Sequence, residues 1–312
     1  MVLSNSSQGW SSSPCGAVKD FLTNLDGLRS KPFDAKHLTM LDVKHLTILD
    51  ARRFGERKME EELMRANIYL YVILPLLEEV VKEDKKMAKM VRKWRCVVQF
   101  QVRDKEISAH LVFSGGDLKV KRGTHPAPTI TIIFKDVENL NQTFSGKKSA
   151  MPKVKGIWHI FLLLKVLKLL NFLQILLPEK EVTDPELRRL KVKMLLYAAV
   201  FALGELSKGD EYVKRTIQSS SDRIVQWRVK PEGPFAYAKM DKTGIEAFKG
   251  VHDKGSYVSM ELRDLDAAYD VLTGKVDALK AVGQRMIVFK GAVGYGEKVG
   301  ALMKRVEEFL NP

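Results

Sequence analysis

Two cysteines, Cys15 and Cys96, in a chain of 312 residues leave no room for a disulfide framework or a cysteine zinc site. A reducing cytosol suits them. The nucleophile elbow G-x-S-x-G is absent, as are a Walker loop and H-E-x-x-H. The glycines of VGYGEKVG open the last helix, with no βαβ unit or ribose-binding acid after them. The start, MVLSNSSQGWSSSPCGAV, lacks a basic stretch followed by an apolar run, so a secretory signal is not expected. Acids are missing from one long stretch: none occurs from Asn139 to Pro178, while Lys147, Lys148, Lys153, Lys155, Lys165 and Lys168 do. The whole chain carries a net charge of +14. That excess suits an anionic partner, a phospholipid surface or nucleic acid. Nucleic acid is disfavoured, because the aromatics fall in strand and core patterns, not among exposed basic residues.

What the chain does have is repetition. VVQFQV (Val97–Val102) matches IVQWRV (Ile224–Val229), 127 residues later. RGTH (Arg122–His125) and KGVH (Lys249–His252) share that offset, as do Glu78 and Glu205 in two apolar helical segments. With one residue inserted, KDVENLNQTFSGKKSAM (Lys135–Met151) aligns with RDLDAAYDVLTGKVDAL (Arg263–Leu279). Asp136/Asp264, Gly146/Gly274, Lys147/Lys275 and Ala150/Ala278 are identical there. KVKG (Lys153–Gly156) then aligns with VFKG (Val288–Gly291), the first copy being seven residues shorter. Four matches in order, with few gaps, read as a duplication.

Each copy has one grammar: a long apolar helix, β-branched strand runs split by turns, an acid-capped helix, a short strand and a closing helix. This order predicts an α+β fold of two duplicated domains, each a small, mainly antiparallel sheet with helices packed on one face. The expected boundaries are 1–56 for an N-terminal extension, 57–178 for copy one and 179–312 for copy two.

The longest apolar segment, Ile157–Leu177, has 16 apolar residues in 21. As a bilayer span its apolar residues would contribute about −5 to −9 kcal/mol. Lys165 and Lys168, near its centre, would cost about 5 to 7 kcal/mol, and His159, Asn171 and Gln174 add to that. Spanning is therefore disfavoured. Its polar residues step by three from 165 to 174, so the apolar surface wraps most of the helix and needs cover on most sides. Burial between the two domains and exposure to a lipid surface both remain open. The closing helix of copy two, GEKVGALMKRVEEFL, is instead an ordinary one-stripe helix.

His125 and His252 recur with no acid or nucleophile at a fixed spacing, so both read as turn histidines. The octads KHLTMLDV and KHLTILDA (Lys36–Ala51) offer His37, Asp42, His45 and Asp50. They read as a packing element or partner contact, since no metal-binding motif accompanies them. No metal or cofactor is expected.

The aromatic strands VVQF and IVQW, the G-x-H turn and the capped helix ending F-S-G-K or L-T-G-K resemble the sterol carrier protein type two domain. So does GQRMIVFKGAVGYGEKVGALM (Gly283–Met303), like that family's final strand, glycine and C-terminal helix. The resemblance covers roughly Glu60–Pro178 and Pro185–Pro312, the second copy being the closer. It implies an apolar cavity between sheet and helices, no catalysis, and non-covalent binding, transfer or presentation of a sterol, fatty acyl, phospholipid or quinone ligand. The expected lining is Phe161, Leu164, Leu167 and Phe172 in copy one, with Met286, Val299, Met303 and Val306 in copy two. The six lysines of the acid-free stretch are the expected membrane contacts. The expected location is cytoplasmic, with peripheral membrane contact. The alternative is an accessory subunit that holds a lipid substrate for a partner enzyme.

Overall fold

A computed structural model describes residues 55–103, 105–177, 180–219 and 221–310. The extension 1–54, with Cys15 and the His/Asp octads, lies outside the described residues. Arg57–Pro312 form one compact unit.

The chain enters through one helical rod, α1 (55–83), of varied pitch. Residues 55–68 are α-helical, Tyr69–Ile73 form a π turn and Leu74–Leu76 a 3-10 turn. The α form then resumes to Glu83. Pro75 explains the interruption: it has no N–H to give the residue four back, and its ring crowds that carbonyl. Asp84 caps α2 (Lys85–Val91) through the Met87 N–H.

The first sheet follows: β1 (Arg95–Val102), β2 (Ser108–Ser114), β3 (Asp117–Arg122), β4 (Ile130–Phe134) and, after α3 (Val137–Phe144), β5 (Lys153–Lys155). The order across it is β3-β2-β1-β4-β5, with β1 and β4 the one parallel pair. Every residue of β4 is buried, as a central strand covered on both faces must be. Asp136 caps α3 by accepting from the Asn139 N–H. The segment closes with α4 (Ile160–Asn171).

The second half opens on α5 (Pro185–Gly209), capped by Asp184 and with proline at its first position. Almost all its inner turns are buried, Leu196 to Ser207 nearly without a break. It touches β7, β8, α7, α9 and α1, and so sits at the centre of the unit. The rest of the half is α6 (Glu211–Gln218), β6 (Arg223–Val229), β7 (Phe235–Met240), β8 (Ile245–Lys249), β9 (Val258–Leu262), α7 (Leu265–Leu272), α8 (Ala278–Gly283), β10 (Ile287–Gly291) and α9 (Val293–Leu310).

The second sheet runs β8-β7-β6-β9-β10, strand for strand the order of the first. The registers agree as well. Gln99 faces His110 and Thr131, while Gln226 faces Tyr237 and Ser259. Gln99 accepts from the His125 N–H and Gln226 from the His252 N–H. Gly156 and Gly291 both have positive φ, and a Cβ on either would strike the carbonyl of the residue just before the neighbouring strand, Thr129 or Tyr257.

The sequence offset pairs Glu78 with Glu205, but the contacts pair Glu79 with it. Glu79 and Glu205 each hold the lysine three residues on, Lys82 and Lys208. Each also reaches across to the other half's third strand: Glu205 to Arg122 of β3, Glu79 to Lys249 of β8. Glu78 instead accepts from the Val120 N–H of β3.

Candidate lipid-contact site

Gly156 turns the chain out of edge strand β5 and into a 3-10 turn, Ile157–His159, before α4. Leu163, Val166 and Leu169 form the buried stripe of α4 and join the core, with Leu162 and Leu170 half-buried beside them. The opposite side is open. Trp158 is 92% exposed, Phe161 79%, Leu164 57% and Leu167 46%, and Ile160 joins them. Sequence reasoning expected cover on most sides. Among the described residues the structure covers one side only. Ile157–Leu177 is not one continuous α-helix: only Ile160–Asn171 is α-helical, and Phe172–Leu176 is a tighter 3-10 turn. The progressive drift of the polar positions is therefore cut short.

Among the described residues, the lysines of this region also stand without ion-pair partners. Lys147, Lys148, Lys153, Lys155, Lys165 and Lys168 are all exposed. Among the described residues none of the six makes an ion pair, whereas many lysines elsewhere do. The matching positions of the second half show what is missing. Lys275, the counterpart of Lys147, binds Glu181 at 2.6 Å, and Lys290, the counterpart of Lys155, binds Glu261 at 2.8 Å. Ile133 stands in the first sheet where Glu261 stands in the second.

The remaining expected lining residues are placed differently. Met286, Val299 and Val306 are buried in the core, while Met303 and Phe172 are half-buried against it. They do not gather with Phe161, Leu164 and Leu167 into one chamber. An apolar cavity is not what the described residues display. A cleft of about 230 Å³ is lined by Glu83, Arg189, Lys193, Tyr197, Glu232 and Phe235. A second, of about 360 Å³, adds Lys230, Asp264 and Asp266. Charged side chains line both, with Pro231 and Leu265 beside them in the second.

Trp158 and Ile160 were not singled out from the sequence. Their signal was the phase of Ile160, Phe161, Leu164 and Leu167, a second apolar stripe opposite the first. The His125 and His252 backbones are held in turns by the paired glutamines. Cys96 is buried, which pushes its thiol up to about 11 and makes it a poor nucleophile. At the centre, burial would raise the Glu79 carboxyl, but hydrogen bonds from Lys193 and Lys249 outweigh it and hold it below the ordinary glutamate range. No helix among the described residues is long and apolar enough to cross a membrane.

The strand order, the capped α3 and edge strand β5 make up the segment that a comparison with known families picks out. Residues 76–155 match the SCP-2 sterol transfer family. One such domain therefore lies in the first half. The sequence pattern had marked the second half as the closer. The matched segment ends one residue before Gly156, so it holds the sheet and α3 and omits the divergent apolar helix that made the first half look atypical. No curated protein matches the chain. Among solved structures, a UbiJ-SCP2 ubiquinone synthesis protein is similar at 10% identity, with 35% of this chain and 91% of that one covered and a TM-score of 0.28. Sterol carrier protein 2 from Yarrowia lipolytica, in its apo form, is similar at 17% identity, with 40% and 93% covered and a TM-score of 0.26.

Proposed function

We propose that this protein binds a hydrophobic ligand of sterol, fatty acyl, phospholipid or quinone type and presents or transfers it without catalysis, in contact with a membrane surface. The observation that carries this reading is the SCP-2 match over residues 76–155. We read the two sheets as products of a duplication, supported by their equal strand order and shared registers. The second half is then a second carrier-type domain. Its candidate lining, Met286, Val299, Met303 and Val306, is packed in the present conformation. A ligand there would enter by displacing α9 from its sheet. The driving force is removal of apolar ligand surface from water, about 25 cal/mol per Å².

Native mass spectrometry of gently purified protein, followed by lipid extraction, tests the reading. A co-purifying sterol, acyl lipid or quinone is expected. A ligand-free protein that also binds no fluorescent fatty acid or sterol analogue would overturn it. The second reading is an accessory subunit that holds a lipid substrate for a partner enzyme. The open apolar side of α4 favours it, because a partner's surface is one way to cover that side. Under that reading the extracted lipid would be the substrate of an enzyme recovered with the protein.

A further inference from the structure

We propose that the open face of α4 docks flat on an anionic phospholipid bilayer, with Trp158, Phe161, Leu164 and Leu167 entering the acyl boundary and the exposed lysines of the same acid-free stretch, Lys165 and Lys168 of α4 foremost, meeting phosphate and carboxylate headgroups. The inference deepens the carrier reading and rests on it for its purpose, though not for its geometry.

Three observations converge. First, α4 is apolar on two opposite sides. Leu163, Val166 and Leu169 satisfy the core, so the other side is not needed for folding. An exposed row of a tryptophan, a phenylalanine and leucines costs solubility unless something covers it. Second, the cover is chosen by charge. Lys147, Lys148, Lys153, Lys155, Lys165 and Lys168 stand in a stretch with no acid, and none is neutralised by an ion pair among the described residues. The second half neutralises two equivalent lysines with Glu181 and Glu261. A neutral partner would leave six ammonium groups unanswered, whereas an anionic bilayer answers each one. Third, the layout suits a surface and not a crossing. Lys165 and Lys168 rise from the exposed side of the helix, with stems long enough to place the ammonium in the headgroup layer while their neighbours insert. Trp158, at the N-terminal end, has the amphipathic ring that favours the interface. Such helices bury their apolar face by about 5–10 Å.

The test uses the full chain with phosphatidylcholine vesicles, with and without phosphatidylserine. Flotation is expected with phosphatidylserine and weak without it. Phe161→Asp combined with Leu164→Asp is expected to abolish flotation while leaving the denaturation midpoint unchanged, since both positions are exposed. Lys165→Gln combined with Lys168→Gln should weaken binding about fivefold per lysine and flatten its salt dependence. In a Trp10→Phe background, brominated acyl chains should quench Trp158, because Trp94 and Trp227 are buried.

Equal flotation with neutral vesicles, full flotation of the Asp variant, or an unquenched Trp158 would each overturn the proposal. So would protection of Trp158 from acrylamide in the lipid-free chain, or a dimer that the Asp variant dissociates. Either result would mean that protein already covers the face. The carrier reading fails separately: vesicle binding by a chain that never carries lipid defeats it alone, and a lipid-loaded chain that ignores vesicles defeats the docking alone.

Discussion

Glu79 is nearly buried and is answered by Lys193, Lys249 and Lys82. Removing its charge leaves those ammonium groups crowded without their common partner. Glu79→Gln is expected to cost about 1–3 kcal/mol, read from the urea midpoint at neutral pH. The pH dependence has a definite sign. The folded carboxyl sits below its ordinary value of 4.5, so its contribution is present above that value and is lost as pH falls through the folded pKa. The gap between wild type and Glu79→Gln should therefore narrow in acid. A gap that widens below about pH 4 would contradict the lysine network as its source. From the sequence, Glu78 looked like the partner of Glu205. The offset between the matching segments of the two halves is not constant: the stretch from the first helix to its sheet is one residue shorter in the first half, a difference that pairwise matching of strands cannot register. Contacts three residues along each helix reveal it.

At the scale of the element, the two sides of α4 make opposite predictions. Leu163→Ala or Leu169→Ala removes a fully packed side chain and should cost about 2–5 kcal/mol by denaturant unfolding. Phe161→Ser or Leu164→Ser removes an exposed one and should stay within about 0.5 kcal/mol. Equal losses on both sides would mean that the open side is covered in solution. Glycine gives a second element-level prediction. Gly156→Ala and Gly291→Ala each force a Cβ into the Thr129 or Tyr257 carbonyl at positive φ, at a cost of about 1–3 kcal/mol. The glycine of each KG pair was visible in the sequence as a recurring residue, and the strands were visible as β-branched runs. The packing of α4 was not, because an apolar helix with stripes on two sides has no internal signal for which stripe faces the core. The answer depends on a core formed by residues far away in sequence.

At the scale of the whole molecule, the two halves clasp each other reciprocally. Arg122, at the end of β3, lies over Tyr71 of its own half and bridges to Glu205 of the other. Lys249, at the end of β8, lies 5.4 Å from the Tyr197 ring of its own half and bridges to Glu79 of the other. One core cluster runs through both halves, with α5 at its centre. Two halves folded as separate domains would unfold independently, but a shared core and mutual ion pairs argue for one cooperative transition. Trp94 lies just before the first sheet and Trp227 lies in the second, and both are buried. In a chain with Trp10 and Trp158 replaced, fluorescence of single-tryptophan variants reporting on Trp94 and Trp227 should give the same urea midpoint. A double-mutant cycle of Arg122→Ala with Glu205→Ala should return a coupling of about 0.5–3 kcal/mol. Arg122→Ala combined with Lys249→Ala should lower both tryptophan midpoints together. Midpoints that separate in the parent chain would instead make the halves independent domains, and the clasp a surface contact without energetic weight.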